Sequence, residues 1–250
     1  MEGIKQAIEY IAKLAVQAEK PEVLEINGKT YCTKDLDRYE KQDKAQPIQA
    51  TTLSSLVDYI TSCAEEFRSS MIIHVVSPTK VLLYSGLLEE RDRETLFEVN
   101  AQLPSFMFGH EYEQEPFLVA MQACFEKNDD TDREAVTMLA SNIVNTKSAE
   151  YSDDGTTQQA VIKSGITTKA SALVPNPVTL IPYRTFLEVD QVASEFVFRI
   201  SEGRNGAPIF KLVEADGGAW KAEAMDMVRM YLIDNLDAEL REHLGITIIA

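Results

Sequence analysis

Apolar positions change period along this chain, and each change predicts a different element. Ile4, Ala7, Ile8, Ile11, Leu14 and Ala15 follow the 3, 4, 7 spacing of one helix face, and Pro21 ends that helix. Residues 23–33 place apolar positions on both sides of Asn27-Gly28. That dipeptide supplies the positive φ angles of a type I′ turn, so a small hairpin is expected. Residues 34–50 are polar and read as a solvated connection. Thr51 or Thr52 then caps a helix over 53–67 with Leu53, Leu56, Val57, Ile60, Ala64 and Phe67 on its buried face. Two aliphatic, β-branched runs flank Ser77-Pro78-Thr79-Lys80 in residues 70–86 and predict a second hairpin. A further strand is expected over Thr95–Val99.

The middle of the chain returns to a helical period. Pro116 suits a first helical turn, with Phe117, Leu118, Met121 and Phe125 facing inward. Thr131-Asp132-Arg133-Glu134 matches a capping box ahead of Val136, Leu139, Ala140 and Ile143. Beyond residue 148 the pattern alternates, predicting strands near 148–152, 157–163, 178–190, 195–201 and 208–213. Asp216-Gly217-Gly218 leads into a last helix over about 219–240, with Trp220, Ala224, Met227, Val228, Tyr231, Leu232 and Leu236 on one face. The class is α+β: antiparallel sheets built from hairpins, with amphipathic helices packed on one face. Three regions follow: 1–50, 51–147 with the central helices, and 148–250 with most of the strands.

Charge narrows the function classes. Forty acidic residues against 24 basic ones give a net charge of −16, with no Lys/Arg block. Direct nucleic-acid binding needs a basic footprint, and anionic lipid is repelled by such a field. Cys32, Cys63 and Cys124 are odd in number and widely spaced, the pattern of reduced thiols. The opening helix is too polar for a signal peptide or a membrane span, so a cytoplasmic protein is expected.

Catalytic chemistry finds no carrier. His74, His110 and His243 lack metal-ligand spacing, and no phosphate loop or nucleophile elbow occurs. Neither a metal, a cofactor nor a catalytic residue is expected. If extended, residues 110–115 would put Glu111, Glu113 and Glu115 on one face, although a solvated loop before the Pro116 helix is the simpler reading. Two sets of residues remain. Gly217 and Gly218 at a helix N-terminus, with Arg184, Arg199 and Arg204, form a candidate anion or nucleotide-binding set. Asp216 competes for the same donors, and Asn205-Gly206 is a hairpin turn. The second set is a candidate oligomer interface. Pro175, Pro177 and Pro182 exclude a central strand and leave an edge strand or an extended arm carrying Tyr183, Arg184 and Phe186. That arm packs on its own domain or reaches another subunit. Ile246, Ile248 and Ile249 form an apolar tail able to pair with a neighbour's sheet edge. Asp153-Asp154-Gly155 lacks calcium-loop spacing and reads as a hairpin tip, with Gln158 and Gln159 on opposite strand faces.

ASNIV, AEYSDDGTTQQAVIKSGI, VPNPVTLIPYRTFLEV and SEFVFRI occur in this order ahead of a DGGAW-led helix. This layout resembles the phage and prophage proteins of the YfdQ type, a family of unknown function, over roughly residues 53–235. The resemblance implies a phage or prophage product in a host bacterial cytoplasm and implies no reaction. The expected function is a non-enzymatic accessory protein that self-associates into a homo-oligomer or larger assembly, with a phage or host protein as a further partner. The alternative is a small-ligand protein that binds or sequesters nucleotide signals against host defence.

Overall fold

The computed structural model describes residues 2–34, 44–62, 70–88, 91–143, 158–164, 168–174, 176–203 and 206–250. The chain divides into two compact units, Met1–Lys44 and Ala45–Ala250. The second contains strands from both the 51–147 and the 148–250 regions.

In the first unit, α1 spans Glu2–Glu19. A hairpin follows, with β1 (Val23–Ile26) antiparallel to β2 (Lys29–Cys32). The turn is the expected one: Asn27 and Gly28 have φ of 53° and 73°. The hairpin's base is closed by Thr33, whose N–H donates to the Glu22 carbonyl and whose hydroxyl accepts from the Glu22 N–H at 2.9 Å.

The second unit holds a five-stranded and a four-stranded sheet. The five-stranded sheet runs β13-β4-β5-β6-β3, from β3 (Ile48–Ala50), β4 (Ile72–Ser77), β5 (Lys80–Tyr84), β6 (Thr95–Asn100) and β13 (Thr247–Ile249). Its centre is antiparallel, as the hairpin pattern predicts, but both edge strands pair in parallel. One of those edges, β3, corrects the reading of 34–50 as wholly connection. The other edge, β13, is set by Gly245. After the short helix α6 (Ala238–His243), Gly245 takes a φ of 60°, and the N–H groups of Gly245 and Ile246 return to the carbonyls of Glu242 and Arg241. A Cβ at Gly245 would lie 2.9 Å from the Ser70 nitrogen, so glycine is required twice over. The reversal sends residues 246–249 alongside β4.

Two helices lie on this sheet, α2 (Leu53–Thr61) and α5 (Trp220–Asn235). Leu53, Leu56, Ile60, Ile73, Val75, Val81, Leu83, Val99, Val228 and Leu232 are fully buried in one aliphatic core. Thr52 is the N-cap of α2, as predicted. The last helix is shorter than expected: it ends at Asn235, and Asp237 starts α6 by accepting from the Leu240 N–H at 2.9 Å.

The four-stranded sheet runs β10-β11-β12-β7, from β7 (Tyr112–Glu113), β10 (Val178–Leu180), β11 (Ser194–Glu202) and β12 (Pro208–Glu214). Helices α3 (Gln114–Ala123) and α4 (Arg133–Asn142) share its core, which is largely aromatic. Phe117 stacks at 5.0 Å on Phe210 and 5.8 Å on Phe198, and Phe108 stacks at 5.0 Å on Phe196. The expected strand over 178–190 stops at Leu180. Pro182 cannot extend the ladder, and residues 183–191 fold into a loop held by Gln191. Glu111, Glu113 and Glu115 do not share one extended face, because only residues 112–113 are in a strand and Glu115 lies in α3. Glu111 instead pairs with Lys211 at 3.0 Å.

The capping box at residue 131 is also corrected. The Thr131 hydroxyl donates to the Asn128 carbonyl at 2.8 Å, and Asp132 precedes α4. The Asp132 carboxylate is used elsewhere: it accepts from the Thr179 N–H at 2.7 Å and so ties α4 to β10. Each helix end here is satisfied from the other helix. Gln114 donates to the Ala140 carbonyl at 2.7 Å at the end of α4, and Arg133 Nε donates to the Met121 carbonyl at 3.0 Å near the end of α3.

A separate two-stranded ribbon pairs β8 (Gln158–Ser164) with β9 (Thr168–Val174). Strand β8 was expected, and β9 was not. The Asp153-Asp154-Gly155 hairpin tip lies outside the described residues.

On the five-stranded sheet, Glu98 is held at a pKa of about 2 by donation from Asn100, Lys80 and Gln49. A depressed carboxylate stabilises the fold above its ordinary value of 4.5, and that contribution fades as pH falls toward 2. Urea unfolding of Glu98→Gln should therefore show a shallower loss of stability with acidification through this window than the native chain. Equal slopes would contradict the assignment.

Candidate functional site

Arg184 gathers several predicted residues around itself. It sits in the loop after β10, where Gln191 fixes the backbone. The Gln191 amide oxygen accepts from the Arg184 and Thr185 N–H groups, and its nitrogen donates to the carbonyls of Phe186 and Val189. From this anchor the guanidinium reaches Glu214 at the end of β12 (2.8 Å) and Ser194 at the start of β11 (2.6 Å). Its centre lies 4.0 Å from the Trp220 ring, the first residue of α5, and 5.6 Å from the Phe196 ring. The side chain is one-tenth exposed. Burial lowers its pKa, against the opposing charges of Glu214 and Asp216.

Asp216 closes the cluster. Its carboxylate accepts from the Gly218 N–H at 2.9 Å. Burial pushes that carboxyl up, but the Gly218 N–H, the Ser194 hydroxyl and Arg184 together bring it below the ordinary aspartate value. Gly217 and Gly218 have φ of 64° and 83°, which lets the chain turn into α5. Arg184 Nε and Trp220 Nε1 are both buried without an acceptor. One cation thus faces two carboxylates, and the helix-end donor is already used. The arrangement is a clamp joining β11, β12 and α5.

Arg199 is not part of it. Ser194, Phe196, Phe198 and Ile200 are the buried alternation of β11, and Arg199 lies on the opposite face, in register with Lys211. Arg184 and Arg199 are therefore on opposite faces of one sheet. Arg204 lies outside the described residues.

The residues chosen for an oligomer interface are placed mostly against their own unit. Phe186 is buried in the aliphatic core, and Thr185 beside it donates to the Pro78 carbonyl at 2.7 Å. The Tyr183 N–H donates to the Cys124 carbonyl at 2.9 Å. Ile246 and Ile248 pack on the aliphatic core, and the tail pairs with β4 of its own chain, leaving Ile249 exposed. Pro177 is exposed, and Pro175 lies outside the described residues. Sequence reasoning missed Glu188 and Gln191. Glu188 caps α2 from across the fold, accepting from the Leu53 N–H at 2.7 Å. Contacts this distant in sequence leave no local signal.

Exposed apolar side chains gather on both the helix and the hairpin of the first unit. No residue of α1 is buried: Ile4, Ile8, Ile11 and Leu14 are 68, 62, 64 and 47% exposed. Val23, Leu24, Ile26 and Tyr31 of the hairpin are exposed too. The helix that reads most plainly as amphipathic leaves its apolar face uncovered.

Among the described residues no group of three or more His, Cys, Asp and Glu could hold a metal ion. Among them, too, no helix is long and apolar enough to cross a membrane. A scan against protein-family models finds no match, and searches of curated proteins and of solved structures find none.

Proposed function

We propose that this chain is a non-catalytic accessory protein of the phage or prophage kind, acting in the host cytoplasm by self-association. Its Ala45–Ala250 unit is the folded body, and its Met1–Lys44 unit supplies the associating surface. The observation that supports this reading is the apolar stripe of α1, exposed along its whole length. Burying four such side chains contributes on the order of 1.5–3 kcal/mol each, so water-exposed Ile4, Ile8, Ile11 and Leu14 are a strong drive toward a partner surface. The Arg184 cluster supports a structural role, because its guanidinium is already engaged by Glu214 and Ser194 of its own chain.

Substituting Ile8→Asp tests the reading. Ile8 lies in the stripe, on a helix with no buried residue, so the fold persists while association weakens. Sedimentation velocity should show the native chain as a dimer or larger species at micromolar concentration and Ile8→Asp shifted toward monomer. Identical, concentration-independent monomers in both would overturn it.

A further inference from the structure

From the charges flanking the apolar stripe we infer that the occupant of the α1 face is α1 of a second copy, running antiparallel. This rests on the self-association reading and adds its geometry. Ile4, Ala7, Ile8, Ile11, Leu14, Ala15 and Ala18 share one face of the helix. Along one edge of that face runs the seven-residue row Lys5, Ala12, Glu19; along the other runs Gly3, Tyr10, Gln17.

The two possible helix orientations use these edges differently. In a parallel pair each edge faces the opposite edge, so Lys5 and Glu19 meet only Gly3, Tyr10 and Gln17. In an antiparallel pair each edge faces its own copy. The row Lys5, Ala12, Glu19 then meets itself reversed about Ala12, placing each Lys5 against the Glu19 of the other copy. Two symmetric ion pairs result from one row. Ala7, Ala15 and Ala18 are small residues on the same face and admit a close helix approach. A two-fold pair is self-complementary, as an isologous dimer requires.

A lipid surface fits less well. Glu2, Lys5, Glu9, Lys13, Glu19 and Lys20 balance to zero charge on the helix and its flank, giving no attraction to anionic headgroups. The row of Lys5, Glu9 and Lys13 has the spacing of pairing within the helix.

Charge reversal and cross-linking in the full chain test the geometry. Lys5→Glu and Glu19→Lys should each raise the dimer dissociation constant roughly 5–30-fold, and the double reversal should restore it. In a Cys32→Ser, Cys63→Ser background, mixing Lys5→Cys protein with Glu19→Cys protein should give a disulfide-linked dimer under mild oxidation. Neither variant alone should do so. Same-residue cross-links, or a dimer indifferent to all these changes, would overturn the antiparallel seam while leaving self-association intact. A monomeric native chain, or a monomer that co-sediments with phosphatidylglycerol–phosphatidylethanolamine vesicles, would overturn both.

Discussion

Phe117→Ala is expected to destabilise the protein by about 3–5 kcal/mol, the range for emptying a fully buried aromatic site. Phe117 has no exposed surface and touches rings on three elements: Phe210 on β12, Phe198 on β11 and Tyr112 on β7. It also leads α3 onto the sheet. Stacked rings on a twisted sheet cannot close over a missing one, so the cavity persists. Urea denaturation should show a lower midpoint with an unchanged slope. A loss below about 1 kcal/mol would mean that this core relaxes, against the close packing described.

Arg184 gives the second large effect. Arg184→Ala removes the partner of Glu214 and Ser194 and the plate that stacks on Trp220. Breaking a buried pair costs about 3–5 kcal/mol, and the partial exposure of Glu214 reduces this to roughly 2–3. The sharper test is Arg184→Lys. An ammonium keeps the charge but cannot donate to Glu214 and Ser194 while lying flat on an indole, so a loss of about 1–2 kcal/mol is expected. Trp220 is the protein's one tryptophan, so its fluorescence reports the clamp directly. Native-like stability and emission in Arg184→Lys would reduce the cluster to a simple charge pair.

Local chemistry was the legible part of the fold. Asn27-Gly28 turned where its φ preference demands, and the two aliphatic runs around Pro78 paired as a hairpin. Period alone separated α2, α3, α4 and α5 from the strands between them. Three of the misses share a cause: a distant partner outbid a local rule. Asp132 serves Thr179 across 47 positions, so Thr131 forms no capping box. Gln191 holds residues 184–189 in a loop, so the alternation there never becomes a strand. Gly245 turns the tail onto β4 of its own chain, a pairing that Ile246, Ile248 and Ile249 announce only as a need for cover.

The candidate site was legible in type and not in arrangement. Arginines near a glycine pair suggested an anion site, but β-strand alternation puts Arg199 across the sheet from Arg184, and carboxylates from β12 and the β12–α5 turn arrive at Arg184 first. For α1 the sequence marked a face that must be covered. The structure leaves that face exposed, and the proposed associating surface is therefore placed on α1 and not on the 174–186 arm or the tail.

The molar mass of the full chain in solution tests this account most directly. Light scattering across a micromolar concentration series should give twice the 28.0 kDa chain mass or a higher multiple, falling toward one chain mass in Ile8→Asp. A native chain that stays at one chain mass throughout would contradict it.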